Sequence, residues 1–283
     1  MDVPSVYRGV PMRYGCDANK LSPALRQVFV GLHVDSSTEH WIDHALERPH
    51  GRAAMLALAM ARKVMSDYDA NGLVGAHDMR VLGEAQWAQL FAAVGFERRG
   101  NALDVGAGEG QVTDELRPFF DGIVTTELSM QMARRLRKRG YRCHELDLAE
   151  QSLPEGERGP FDFIALLNVI DRTRLPYRLV ERLRDLLADG GLMALAVPFP
   201  LSPHVHVGAV TIAPEEILPK VKGGFEAQAD ALAENFFGAL DLEVVALSRV
   251  PYLCRGNAKS PVMTLDDAIF LVRRRMRGII SSA

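Results

Sequence analysis

Apolar residues recur every three or four positions through the first hundred residues, then give way to short apolar runs alternating with amphipathic segments. The first pattern predicts helices. Leu21-Ser22-Pro23 opens one that carries Leu25, Val28, Phe29 and Leu32. Ser36-Ser37-Thr38-Glu39 caps a second, with Trp41, Ile42, Ala45 and Leu46 on one face. Residues 51–66 are rich in Ala, Met and Leu, Asn71-Gly72 marks a break, and Glu84 to Val94 reads as a further helix through Trp87, Leu90, Phe91 and Val94. The second pattern predicts strands at 101–105, 122–126, 141–146, 161–167, 190–197, 242–250 and 267–273, with helices at 110–118, 129–139, 176–188 and 228–239. Strands alternating with helices imply a mostly parallel sheet covered on both faces. The last two strands, joined by a loop over 251–266, suit an antiparallel hairpin at one edge. The expectation is an α/β Rossmann-like fold, a seven-stranded, mostly parallel sheet over residues 99–283, with a helical N-terminal region over 1–98 packed on it. Residues 198–225 contain Pro198, Pro200, Pro203, Pro214 and Pro219 and read as a long loop of the kind that lines a site.

Composition narrows the class. The chain has 283 residues, of which 48% are apolar and 24% charged, as in ordinary globular proteins. A formal net charge of -3 gives no global electrostatic case for nucleic acid. The basic runs Arg134–Arg139 and Arg273–Arg277 read as solvated surface. Three scattered cysteines, Cys16, Cys143 and Cys254, suggest neither a disulfide framework nor a zinc cluster, and no metal is expected. Met1-Asp2-Val3-Pro4 does not open a secretory leader, and the longest apolar stretch nearby, Ala53 to Ala61, is too short to span a bilayer. A cytoplasmic monomer without a membrane span is expected.

The chemistry begins at Leu103-Asp104-Val105-Gly106-Ala107-Gly108-Glu109-Gly110, between a predicted strand and a predicted helix. Glycines there allow tight turning and close backbone approach to a ligand. The spacing differs from the G-x-G-x-x-G of dinucleotide folds, which place a pyrophosphate at the helix start. The shorter spacing with an acid before it suits a zwitterionic amino-acid ligand without phosphates, and S-adenosylmethionine is the expected cofactor. Asp104 would organise its amino group, directly or through water. Glu127, at the end of the second strand with Leu128 beside it, would accept from both ribose hydroxyls, and Asp147, after the third, from the adenine amino group. Gly106, Ala107, Gly108 and Gly110 complete the cofactor set. Asn168 and Asp171 follow the fourth strand, at the strand ends where open parallel sheets bind ligands, and so belong near the reacting methyl group.

Three segments, Leu103 to Thr113, Thr126-Glu127-Leu128-Ser129 and Leu167-Asn168-Val169-Ile170-Asp171-Arg172, resemble the DREV group of methyltransferase-like proteins. So do Pro251-Tyr252-Leu253-Cys254-Arg255-Gly256 and Leu265-Asp266-Asp267-Ala268-Ile269-Phe270, and the N-terminal segment matches in outline through Leu21, Val28-Phe29-Val30 and Asn71-Gly72-Leu73. The resemblance implies a protein-histidine N-pros-methyltransferase, which methylates Nδ1 in sequences where two histidines alternate with small residues. Protein or peptide substrates with alternating histidines are the partners it implies. Asp147 stands where that family carries an amide.

On that reading a carboxylate accepting from Nε2–H of the substrate imidazole would free the Nδ1 lone pair for attack, and Asp171 takes that role. Asn168 would orient the substrate, and Tyr252 would supply a wall or a hydrogen bond. The glycine motif by itself leaves open a methyltransferase for a small molecule or another side chain, or a non-catalytic binding module on the same fold. Pro203-His204-Val205-His206 superficially resembles an alternating-histidine substrate. Pro and Val are not small, which argues against self-modification, and no third ligand supports a metal there.

Overall fold

The computed structural model describes residues 5–75, 78–97 and 99–275. Met1–Pro4 and the end of the basic run at Arg277 lie outside them. The chain opens with a hairpin, β1 (Ser5–Tyr7) and β2 (Val10–Met12), followed by α1 (Pro23–Gln27), α2 (Ser36–Glu47), α3 (Arg52–Ala61) and α4 (Asp67–Val74). The caps explain where three of these helices start. Ser22, Asp35 and Ser66 each accept the backbone N–H three residues on. Then come β3 (Met79–Arg80), α5 (Glu84–Ala93), β4 (Asn101–Val105), α6 (Gln111–Leu116), β5 (Gly122–Thr126), α7 (Met130–Lys138), β6 (Arg142–His144), β7 (Phe161–Leu167) and α8 (Pro176–Leu186). The chain continues through β8 (Leu187–Phe199), β9 (Val205–Val207), β10 (Val210–Ile212), α9 (Phe225–Leu232), β11 (Leu242–Asn257) and β12 (Ser260–Arg274).

The main sheet has eight strands in the order β3-β11-β12-β8-β7-β4-β5-β6. Strands β4 to β8 are parallel, whereas β12 runs against β8 and β11 against β12. The fold is Rossmann-like, as the alternation of strands and helices predicts. Strand β4 lies between β5 and β7, so the winding direction reverses there. That reversal opens a crevice at the carboxyl ends of the strands. Side chains of β7 alternate across the sheet: Ile164 and Leu166 join one core layer with α8 and α9, and Phe163 and Ala165 join the other with α5. Phe163 stacks on Phe120 and meets Trp87 and Phe91 edge to face.

Three expectations need correction. The sheet has eight strands instead of seven, because Met79 and Arg80 pair with Cys254 and Leu253. The span 251–266 is not a loop: β11 and β12 run on in register to Asn257 and Ser260. Pro251 and Gly256 look like breakers, yet Gly256 is what lets the strands approach, since a Cβ there would sit 2.0 Å from the Ser260 carbonyl oxygen. The proline-rich 198–225 stretch contains the β9–β10 hairpin, closed by Gly208 at φ +57°. The first hundred residues also hold three short strands besides their helices. Among the described residues no helix is long and apolar enough to cross a membrane.

Candidate functional site

The turn after β4 is built by glycine conformations. Gly106 sits at φ +70° facing Val169, whose Cγ2 would lie 2.7 Å from any added Cβ. The Gly106 and Ala107 N–H groups donate to the Thr126 carbonyl at 2.9 and 3.1 Å, tying the turn to the end of β5. Glu127 then holds the turn from the far side. Its Oε2 accepts the Gly108 N–H at 2.9 Å and its Oε1 accepts the Ser129 N–H at 2.9 Å. Burial pushes this carboxyl up from the usual range, opposed by those backbone donors.

A cavity of about 410 Å³ opens at the crevice, within the size range of small-ligand sites. Gly106, Gly108, Glu127, Leu128, Asp147, Asn168 and Tyr252, all expected site residues, line it. Four others do not stand in its wall. Ala107 turns its backbone to Thr126, and Gly110, at φ +88°, starts α6 packed against Leu136. Asp104 lies behind the glycine turn, where Thr113 Oγ1 donates to its Oδ2 at 2.6 Å. The carboxylate anchors α6 beneath the turn. Burial, reinforced by the Glu127 charge and opposed by Thr113, pushes Asp104 up to about 6. Asp171 is also set back. Its Oδ2 pairs with Nη1 of Arg172 at 3.2 Å, and Arg172 lines the cavity.

At the end of β7 the site consists of acceptors. Asn168 adopts φ +59°, a strained value for a residue with a side chain, and its N–H donates to the Ala196 carbonyl at 3.0 Å. Its Nδ2 donates to Asp267 Oδ2 at 2.9 Å, which leaves Oδ1 buried without a partner. Asp267 is 0% exposed and its Oδ1 is likewise unpartnered; Asp171 is 1% exposed and neither of its oxygens is in a hydrogen bond. Burial raises both carboxyls; Asp267 is raised further by the Asp171 and Asp266 charges and opposed by Asn168 and Arg172, and Asp171 is opposed by Arg172, its own backbone N–H and His204. Tyr252 is buried and donates its hydroxyl to Met79 Sδ, so it forms a wall whose polar end is already engaged.

Residues that sequence reasoning missed complete the cavity. Ser66, Tyr68 and Asp69 bring α4 into its wall, and the Tyr68 hydroxyl is buried without a partner. Asp69 accepts from Ser129 Oγ at 2.7 Å and from Ser66 Oγ at 2.8 Å, which couples the N-terminal helices to the loop that carries Glu127. Arg172 and His206 also line the cavity, and Asp267 backs Asn168. The signals were present: Ser66-x-x-Asp69 is a helix-start pattern, and Asp267 stands in a segment already singled out.

Solved structures similar to this chain include a Burkholderia thailandensis 1,6-didemethyltoxoflavin-N1-methyltransferase with bound 1,6-didemethyltoxoflavin and S-adenosylhomocysteine, at 18% identity and a TM-score of 0.46, covering 81% of this chain and 91% of that one. They also include a DhpI–SAH complex, at 15% identity and a TM-score of 0.44, covering 79% and 98%. A third is the N-methyltransferase NodS from Bradyrhizobium japonicum WM9 with S-adenosyl-L-homocysteine, at 15% identity and a TM-score of 0.41, covering 66% and 84%. The family described as DREV methyltransferase matches residues 13–274, in agreement with the sequence resemblance, and this chain belongs to that family.

Proposed function

We propose that this methyltransferase uses S-adenosylmethionine to methylate histidine side chains of proteins or peptides, at Nδ1, in motifs where two histidines alternate. The residues present fit the cofactor. The glycine turn lets a ligand approach the backbone where any Cβ at Gly106 would clash, and the Glu127 carboxylate, held by two backbone donors, keeps further lone pairs for ribose hydroxyls. Leu128 and Asp147 stand in the same wall for the adenine. When bound, S-adenosylmethionine supplies an electrophilic methyl group.

The observation that carries the acceptor assignment is the polarity of the β7 end. Asn168 Oδ1, Asp267 Oδ1 and Asp171 Oδ1 are buried without a hydrogen-bond partner, and Asp171 Oδ2 has only its ion pair with Arg172. Such a set is costly unless a ligand brings N–H groups or positive charge to it. A neutral imidazole brings one N–H and becomes cationic as its other nitrogen is methylated. Asp171 accepts Nε2–H once the substrate displaces Arg172, fixes the tautomer that exposes the Nδ1 lone pair, and stabilises the charge that develops. Asn168 orients the ring, and Tyr252 closes the pocket behind it. Because methyl transfer is a direct displacement, positioning of this kind supplies much of the rate.

The test is an assay with methyl-labelled S-adenosylmethionine and a peptide containing Ala-His-Gly-His, with the modified atom located by NMR and mass spectrometry. Methyl at histidine Nδ1 is the expected result. Transfer only to lysine, arginine or a small metabolite overturns the acceptor assignment, and failure to bind S-adenosylhomocysteine overturns the cofactor site.

A further inference from the structure

Strand β9 contributes Val205, His206 and Val207 to the cavity wall. The His204 N–H donates to the Asp171 carbonyl oxygen at 3.0 Å, and Arg172 Nη1 stands 3.0 Å from His204 Nε2 and 2.5 Å from Nδ1. Two residues on, on the same side of the strand, His206 lines the cavity shared by Gly106, Gly108 and Asn168, with its ring edge-on to Tyr68 at 5.4 Å. Between them Val205 is buried at 7% exposure and lines the same cavity.

The two histidines differ chemically. His204 Nδ1 lies 2.9 Å from the Ser202 carbonyl oxygen and Nε2 lies 3.0 Å from Arg172 Nη1, so both nitrogens have polar neighbours. His206 Nδ1 is 3.1 Å from Thr211 Oγ1, and its Nε2 makes no hydrogen bond among the described residues. Burial lowers the basicity of His206, with His204 and Arg172 acting in the same direction and only Asp67 opposing, so at neutral pH the ring carries an unprotonated nitrogen.

We infer that His206 is a methyl acceptor in cis: the enzyme modifies its own β9 strand, which occupies the acceptor channel until a substrate peptide displaces it. This rests on the histidine-directed reading above for the acceptor residue and departs from its choice of Nδ1, because in His206 that nitrogen is engaged by Thr211. The Nε2 lone pair forms the new N–CH3 bond. The bond from the methyl carbon to sulfur breaks with its electron pair left on sulfur, turning the sulfonium into a thioether. The methylimidazolium then releases its Nδ1 proton past Thr211 to solvent.

Three measurements on the full chain test this. Purified protein incubated with S-adenosylmethionine and no peptide is expected to gain one methyl group per chain, mapped to His206 by fragmentation of the 203–212 segment and absent from His206→Gln. The rate per chain is expected to stay constant on tenfold dilution. In the third, S-adenosylhomocysteine, which cannot react, is expected to shift the imidazole NMR signals of His206 and leave those of exposed His33 in place. No methyl on His206 in a protein that methylates the peptide overturns the cis proposal and leaves the function standing. A protein that binds S-adenosylhomocysteine but methylates neither peptide nor His206 overturns the histidine reading itself. A rate that falls with dilution, or a His206 signal indifferent to S-adenosylhomocysteine, also overturns the cis assignment.

Discussion

Asn168 and Asp267 stand 99 positions apart in the chain and meet at 2.9 Å, Nδ2 donating to Oδ2, across the carboxyl end of β7 and the neighbouring antiparallel strand β12. This bond fixes the orientation of the Asn168 amide: Nδ2 is held, and Oδ1 is buried without a partner. Asp267 thus acts through Asn168 as a positioning residue. Asp267→Asn puts a second amide against the first and removes that constraint. Leaving a buried polar group without its partner costs about 1–3 kcal/mol, so turnover should fall roughly 5- to 100-fold. Calorimetric affinity for S-adenosylhomocysteine should be unchanged, because Asp267 does not hold the glycine turn. Equal loss of affinity and turnover would show that Asp267 serves the fold alone.

Glu127 has a different duty. Its carboxylate joins the glycine turn to the start of α7 through the Gly108 and Ser129 N–H groups. Glu127→Ala removes both charge-assisted bonds and the expected ribose acceptor together. Two such interactions at about 1.5–3 kcal/mol each predict at least a 100-fold loss of S-adenosylhomocysteine affinity. Titration calorimetry on a variant whose thermal transition remains cooperative reads this directly, and a change below tenfold would remove Glu127 from the cofactor site.

Much of this was legible because the relevant patterns are local. The strand–Gly-Ala-Gly–helix junction and the acid after β5 each sit in one short segment, and the structure puts Gly106, Gly108 and Glu127 in one cavity wall as expected. What escaped was set by distant pairing. Met79-Arg80 is too short to show a strand period and becomes one only because Leu253 and Cys254 pair with it. The β9–β10 hairpin was hidden by its proline-rich surroundings, although Val205-His206-Val207 and Val210-Thr211-Ile212 flank a glycine turn in the manner of a tight hairpin. Asp104 reads from the sequence as organising the ligand's amino group, directly or through water; its hydrogen bond from Thr113, nine residues on in α6, is one that sequence spacing does not reveal.

Asp171 separates cofactor binding from chemistry. It is absent from the cavity wall and paired with Arg172, and it makes no bond to the glycine turn. Asp171→Ala should keep S-adenosylhomocysteine affinity within a factor of about three while peptide turnover drops 100-fold or more, the scale on which a positioned acid–base group acts. Single-turnover kinetics with the alternating-histidine peptide distinguishes this from slow product release. If turnover survives, the substrate proton goes to another acceptor, and Asp267 is the next candidate.

The last prediction concerns pH. Asp104 ionises at about 6 in the folded chain against an ordinary 3.8, mainly through burial. Between those values the folded protein binds more protons at this site than the unfolded chain does. Its contribution to stability is therefore full below pH 3.8 and declines as pH rises, levelling off above pH 6. The gap corresponds to about 3 kcal/mol at 1.36 kcal/mol per unit. Asp104→Asn keeps the shape and an acceptor for Thr113 but cannot ionise. Urea unfolding of the two proteins at pH 4 and pH 7.5 should show the Asn variant gaining on the wild type by up to about 3 kcal/mol at the higher pH. A constant difference at both pH values would mean that Asp104 ionises in the folded state as readily as it does in water.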